Sequence, residues 1–310
     1  MKGGTRPDET GILLMGYGSP EGPDDLAGYL EEVMGRAPPA EVVREYERRY
    51  GLIGWSPQMR ILRSLREKLE KRLDREGGSM PVYLGTKHWT PHIADEIRSA
   101  SAAGLRKLIA LPLSPYASTW ILEPYERAIA EGRRRAPRPV EVELRSGWHL
   151  HPGWVGYWNE AISTSLRASP KGTVVLLSAH SLPERMRVKG DPYPVLVQAT
   201  ARRIAELALL DPWEFTYQSA GNTTEPWLGP DVTERISAWK ARGFPDPLIA
   251  PIGFVFEHLE VLYDLDQVVR AFAESNGGHY RRVPMPNDDD RLVETLAEVA
   301  LAGPPRARGD

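Results

Sequence analysis

The chain has 310 residues, 41% of them hydrophobic and 26% charged, with a formal net charge of −3 and no cysteine. That length exceeds what one hydrophobic core usually organises, so two domains are expected, and the small charge gives no electrostatic reason for nucleic acid or an anionic membrane as partner. The lack of cysteine excludes disulfides, thiolate zinc sites and cysteine-ligated iron–sulfur clusters.

The first residues, 1–11, are polar and lack the apolar core of a signal peptide. The longest apolar runs, such as 108–113 and 174–177, fall far short of the roughly 18–20 residues that span a bilayer. A cytoplasmic protein without membrane contact is expected.

Elements follow in an alternating order. GILLM at 11–15 reads as a buried strand. PQMRILRSLREKLEKRL at 57–73 is an amphipathic helix with Ile61, Leu62, Leu65, Leu69 and Leu73 on one stripe. A strand at 82–84, a helix at 91–103, a strand at 107–113, a helix from about 123 to 134 and a strand near 140–144 follow. Then come a strand at 174–177, a helix at 192–209, a strand at 214–217, a helix at 230–242, a strand at 248–255 and a helix at 260–275. Strands separated by helices predict parallel sheets covered on both faces. The boundaries expected are an N-terminal domain over 1–150, a C-terminal domain over 151–288, a helix over 289–302 packing back on the first domain, and a flexible tail over 303–310.

The two halves read as versions of one plan. ILLMGYGSP at 12–20 and VVLLSAHSLP at 174–183 are both strand-then-turn, with Tyr17 and His180 at the equivalent exit. VYLGTKHWTP echoes FTYQSAGNTTEPW, and ALPLSPYAST echoes APIGFVFEHLE. The first half carries extra sequence between residues 21 and 57, expected to form a helical insertion. Insertions after a strand's carboxyl end overhang the crevice in which α/β sheets bind ligands, so this one is a candidate lid or pocket wall.

Gly16-Tyr17-Gly18 with Gly22 is a near miss to a dinucleotide fingerprint, with the wrong spacing and Pro20 in the turn, so no nucleotide is expected. His180 leaves a buried strand directly, where α/β enzymes place reactive groups, and Pro183 prevents an immediate helix. His258 and Glu260 occupy the equivalent exit later in the same half, and Asp264 lies one helical turn beyond Glu260. Imidazole with carboxylates suits a borderline divalent metal such as Fe(II). An acid-rich helix start would read the same way, since carboxylates favour that end. In the insertion, Arg49 with Tyr50 abuts a small-residue turn and is the candidate pocket pair, arginine being the preferred fork for carboxylates. The tracts His88/His92 and His149/His151 have no matching carboxylates in sequence and read as structural.

Taken together, SAHSLPERMRVKGDPYP, QSAGNTTEPWLGPDV and PIGFVFEHLEVLYDLD resemble the ferrochelatases, specifically the soluble coproporphyrin type. LLMGYGSP, RRYGLIGWSP, LGTKHWTP and SPYASTW match in the same order, so the resemblance runs from about residue 10 to residue 287. It implies an α/β fold of two Rossmann-like domains of the class II chelatase kind, with a porphyrin bound in the cleft between them. It also implies a lyase-class chelatase of haem biosynthesis that takes Fe(II) as substrate. By motif, His180 and Glu260 become the catalytic and metal-side pair, and Tyr17 belongs to the opposite wall. Arg49, Tyr50, Ser56, Ser118 and Thr119 would hold propionates, and Trp227 and Trp120 would pack the cleft. The macrocycle would enter with its charged edge toward the insertion. Protein partners, if any, would be other haem-pathway enzymes meeting it transiently.

The sequence departs from the family pattern in places. The first-loop basic run is reduced to Met34-Gly35-Arg36, Glu257 stands where Asp is common, and Val268 interrupts the acidic row that continues from Glu260 and Asp264. Coproporphyrin III is the expected substrate. The alternatives are protoporphyrin IX, a cobalt or nickel chelatase acting on a more carboxylated tetrapyrrole, or a haem carrier that has lost catalysis.

Overall fold

A computed structural model describes residues 9–74, 80–221 and 223–302; the tail expected over 303–310 lies outside them. The chain forms two four-stranded parallel sheets. In the first, β1 (Thr10–Gly16), β2 (Val82–Thr86), β3 (Lys107–Pro112) and β4 (Glu141–Leu144) lie in the order β2-β1-β3-β4. In the second, β5 (Val174–His180), β6 (Trp213–Gln218), β7 (Pro247–Ala250) and β8 (Arg281–Arg282) lie in the order β6-β5-β7-β8. The orders correspond strand for strand, and all pairings are parallel.

In the first half α1 (Pro23–Met34) and α2 (Ala40–Leu52) pack on each other in a cluster of their own, while α3 (Gln58–Asp74), α4 (Ile93–Ala102) and α5 (Thr119–Arg135) cover the sheet. After them come α6 (Pro152–Arg167), α7 (Arg185–Val188), α8 (Tyr193–Leu207), α9 (Val232–Ala241), a π-helix (Glu260–Val269), α10 (Arg270–Ser275) and α11 (Asp290–Leu301). Alternation along each central strand sorts its side chains. Ile12 and Leu14 of β1, with Val175 and Leu177 of β5, share one core with α3, α6, α8 and α11, which therefore form a layer between the sheets. Leu13 and Met15 pack outward on α4 and α5, and Val174 and Leu176 pack outward on α9, the π-helix and α10. Helix α11 rests on α3 and α6, so the chain's last described helix touches elements of both halves.

Several expectations need correction. Helix α6 was not foreseen, although Trp154, Val155, Trp158 and Ile162 of PGWVGYWNEAISTSLR share a buried stripe opposite exposed Glu160, Thr164 and Arg167. Helix α5 begins at Thr119 rather than near 123, because the hydroxyl of Ser118 accepts from the Ile121 amide and caps it. The strand expected over 248–255 ends at Ala250, where Pro251 cannot donate to a ladder. The helix expected over 260–275 is α-helical only from Arg270.

Candidate active site

The site grows from the carboxyl edge of the second sheet. His180 ends the central strand β5, in register with Gln218 of β6, and its carbonyl accepts from the Tyr193 hydroxyl at 3.0 Å. The next residue is pinned as well, since the Ser181 amide donates to the Gln218 carbonyl at 2.8 Å. Nδ1 of His180 is buried, has no hydrogen-bond partner, and stands 3.6 Å from Oε2 of Glu260. The same oxygen lies 3.5 Å from Nε2 of His258, whose Nδ1 faces the Phe256 carbonyl at 3.1 Å. Burial pushes the Glu260 carboxyl upward, yet the imidazoles of His180 and His258 outweigh it and hold the group down to about 2. A single carboxylate oxygen thus sits between two imidazoles and stays ionised at neutral pH.

Gln218 locks this arrangement from inside. It is buried, accepts from the Ser178 hydroxyl at 2.7 Å, and donates to the Glu260 carbonyl at 3.2 Å. It therefore ties β5, β6 and the start of the π-helix at one point. Next to it, Ser219 holds a left-handed φ of 57°, a strained conformation of the kind that clusters at functional sites. The hydroxyl of Ser219 meets Asp264, whose carboxyl is raised by burial against the pull of that hydrogen bond.

The first sheet supplies the facing wall. Tyr17, just beyond β1, is 41% exposed. Its ring lies 4.7 Å from that of His88, with the Lys87 ammonium 5.0 Å from its centroid. Burial, and next the charge of Glu260, push the Tyr17 phenol well above its ordinary range. Burial raises the phenols of Tyr29, Tyr46 and Tyr50 of the insertion, with the charge of Glu260 a smaller contribution, and Leu259 packs among Leu26, Tyr29, Leu30 and Tyr50. The segment leading into Glu260 therefore meets the insertion of the first half. A Cβ on Gly18, at φ 98°, would lie 2.9 Å from the Trp89 amide nitrogen, so glycine lets the exits of β1 and β2 pack this closely.

The histidines read as structural divide. His92 pairs with Glu32 at 2.9 Å, and His151 caps α6 by accepting from the Gly153 amide. His88 does not belong with them: its ring lies tilted against that of Tyr17, and burial and then Lys87 hold it down to about 4. Its neighbour Lys87 is also pressed downward, by burial first and Arg127 second. Neither residue carried a sequence signal beyond lying at the exit of β2.

The other residues named from sequence are placed unequally. Arg49 donates from Nε to Glu45 at 2.7 Å, and its guanidinium lies 5.2 Å from the Tyr263 ring centroid of the π-helix. Its neighbour Arg48 donates to the Tyr263 hydroxyl at 2.6 Å, so α2 clasps the π-helix. Tyr50 is only 3% exposed and stacks on Trp55 at 5.5 Å. Burial pushes its phenol up to about 12 against contacts with Ser19 and Tyr29. Ser56 is buried and accepts from the Gln58 amide. Ser118 is fully buried and gives its hydroxyl to Asp191 at 3.0 Å, which leaves it no free donor for a bound carboxylate. Thr119 and Trp120 are exposed at the start of α5. Trp227 is half-buried, bridged to Pro183, with its indole donating to Thr223 at 2.9 Å. The structure thus brings Tyr17, His180, Glu260 and Arg49 toward one region, while Tyr50, Ser56 and Ser118 serve the walls behind it.

Among the described residues, no group of three or more His, Cys, Asp or Glu side chains, the His180–Glu260–His258 contact included, is arranged to hold a metal ion, and no helix is long and apolar enough to cross a membrane.

The ferrochelatase family's sequence profile matches residues 9–303. Among curated relatives, the coproporphyrin III ferrochelatase of Geobacillus thermodenitrificans is 37% identical over 300 residues, covering 94% of this chain and 95% of that one. A ferrochelatase of Herpetosiphon aurantiacus is 36% identical over 298 residues, covering 94% and 98%. Solved structures share the fold at low identity. SirB from Bacillus subtilis with Fe3+ matches with a TM-score of 0.57 at 14% identity, covering 94% of this chain and 96% of that one. CbiX, described as the terminal enzyme of sirohaem biosynthesis in denitrifying bacteria, matches with a TM-score of 0.56 at 14% identity, covering 94% and 100%. Paired parallel sheets of one plan, an imidazole–carboxylate pair at a strand exit and a full-length family match agree: this chain belongs to the ferrochelatase family.

Proposed function

We propose that this chain is a lyase-class chelatase that inserts Fe(II) into coproporphyrin III, with His180 and Glu260 acting at the ring centre. The observation that carries the reading is the ionised Glu260 oxygen held between two imidazoles and faced by Tyr17 from the other sheet. The name of the Geobacillus relative supports the choice of porphyrin. So does the mouth, where Arg48 and Arg49 stand beside the cleft. We further propose that residues 1–150 and 151–288 are the two domains, with the porphyrin between them.

The reaction exchanges one Fe(II) for two pyrrole protons and needs no electron transfer. A flat macrocycle hides its nitrogen lone pairs, so a cleft that binds the ring bent uses binding energy from its carboxylates and faces to expose them. The His180 imidazole, its Nδ1 turned inward beside Glu260, can accept a pyrrole proton or offer iron a ligand through its other ring nitrogen as the iron's water leaves. Glu260, ionised and 3.6 Å away, stabilises the resulting cation or the incoming metal. Asp264, one turn further along and raised by burial, is placed to relay protons outward.

Two outcomes test this. Anaerobic turnover with coproporphyrin III and protoporphyrin IX side by side should give the tetracarboxylate at least tenfold higher kcat/KM, the value of one charge-assisted contact of about 1.5–3 kcal/mol. Equal or reversed preference under matched detergent would overturn the choice of porphyrin. Arg49→Ala should raise KM for coproporphyrin about tenfold with a smaller change in kcat. An unchanged KM would assign Arg49 wholly to its ion pair with Glu45.

A further inference from the structure

The π-helix carrying Glu260 needs an explanation of its own. It runs for ten residues, Glu260–Val269, whereas π geometry mostly appears as single-turn bulges within α-helices. Something outside the helix must hold that register. Against it, Arg282 of β8 carries a nearly buried guanidinium. Its Nε and Nη2 fork onto the two oxygens of Asp266 at 2.9 and 2.8 Å, and Nη2 also reaches Oε1 of Glu257 at 3.1 Å. Asp266 accepts further from the Tyr280 hydroxyl at 3.2 Å, and the Glu257 amide is held by Asn287 at 2.8 Å. One side chain therefore grips the polypeptide just before His258 and again within the π-helix, with Glu260 between the two grips.

The grip on Asp266 depends on register. A π-helix closes i→i+5 rings and turns less per residue than an α-helix. Over the six residues from Glu260 to Asp266, relaxation to α geometry would rotate the two side chains relative to each other by on the order of 100°. Asp266 could then meet Arg282, or Glu260 could meet His180, but not both. We infer that Arg282 is a positioning residue: it locks the π register and so holds Glu260 between His180 and His258. This rests on the proposed role of Glu260 in metal insertion. A fork onto a carboxylate suits the task because a guanidinium fixes angle as well as distance, which an ammonium does not.

Arg282→Gln alone strands Asp266 and Glu257 and can fail to fold, so the deciding variant is Arg282→Met with Asp266→Leu, which removes the more buried ion pair, refills its space and leaves only the part-exposed Glu257 unpaired. Arg282→Lys serves as the conservative comparison. Three quantities are read: amide hydrogen exchange of residues 260–269 in the porphyrin-free protein, porphyrin affinity by fluorescence, and kcat. The double variant should stay folded, exchange at least tenfold faster across that segment with β5 unchanged, and bind coproporphyrin III with nearly native affinity. Its kcat should fall about ten- to a hundredfold, the scale of a 1 Å misplacement. Arg282→Lys should fall between the double variant and the native protein. Native exchange in the segment, or faster exchange with native kcat, would overturn the assignment and leave Arg282 a structural ion pair. Exchange is measured without turnover, so a native protein that never metallates porphyrin would defeat the functional reading while the exchange result still judged the lock.

Discussion

His180→Ala and Glu260→Gln are each expected to lower kcat at least a hundredfold while leaving porphyrin affinity close to native. The magnitude is that of losing a positioned proton acceptor. Its selectivity for kcat follows from the geometry. His180 Nδ1 and Glu260 Oε2 lie 3.6 Å apart beside the exit of β5, whereas the contacts we propose for the ring's faces and edge come from Tyr17, Trp227, Arg48 and Arg49. Removing either member of the pair should therefore spare binding and remove an interaction made only while protons leave and metal enters. The double variant should be little worse than the poorer single one, because groups acting as a unit fail together. Steady-state metallation measured alongside fluorescence titration decides the matter. Near-native turnover in both single variants would show that the chemistry lies elsewhere.

Gly253→Ala is expected to disable the same centre without touching it. Gly253 follows β7, and its amide donates to the Ser178 carbonyl at 3.0 Å. A methyl group there would lie 2.6 Å from both Cα and Cβ of Ala179 and 3.3 Å from the His180 amide nitrogen. Backbone cannot yield as a flexible side chain can, so β5 must move at its last residues. The overpacking should cost about 1–3 kcal/mol of stability, and the displacement of His180 should lower kcat by roughly tenfold to a hundredfold. Gly85→Ala is the matched control. Its added methyl would lie 2.7 Å from Cα of Ile93, an equal crowding in the first sheet that does not press on the His180 strand. Similar losses of stability in both variants, with the greater loss of kcat confined to Gly253→Ala, would support the account. Equal losses of kcat would show that activity merely follows stability.

The parts of this molecule that could be read from sequence are those whose signal is local. Uninterrupted apolar runs marked the central strands, and the stripe from Ile61 to Leu73 marked α3. His180 stood out because it directly follows such a run, and Glu260 because it follows His258 in a segment beyond another. What stayed hidden depends on the far side of the fold. The period of EVLYDLDQVV is compatible with an ordinary α-helix; its π register is a tertiary matter, gripped by Arg282 at Asp266 and by Arg48 at Tyr263. Helix α6 was missed although it carries an apolar stripe; its glycines, aromatics and β-branched residues are weak helix formers. Ser118, Ser56 and Tyr50 carry suitable chemistry, yet their hydroxyls and rings are turned into caps and cores by partners that sequence spacing does not reveal. For Ser118 that partner is Asp191, which lies in the other half of the chain. His88 was hidden for the opposite reason: the parallel register of β1 and β2 places it beside Tyr17.

The central claim is that this cleft inserts metal and does not merely hold a porphyrin. It is tested most directly by titrating coproporphyrin III into the wild-type protein under anaerobic conditions, adding Fe(II), and following loss of free-porphyrin fluorescence with appearance of the metalloporphyrin spectrum. Catalytic conversion over many turnovers, above the rate without protein and lost in His180→Ala, is the predicted result. Binding of porphyrin with no metallation above that background would contradict the claim and establish a carrier.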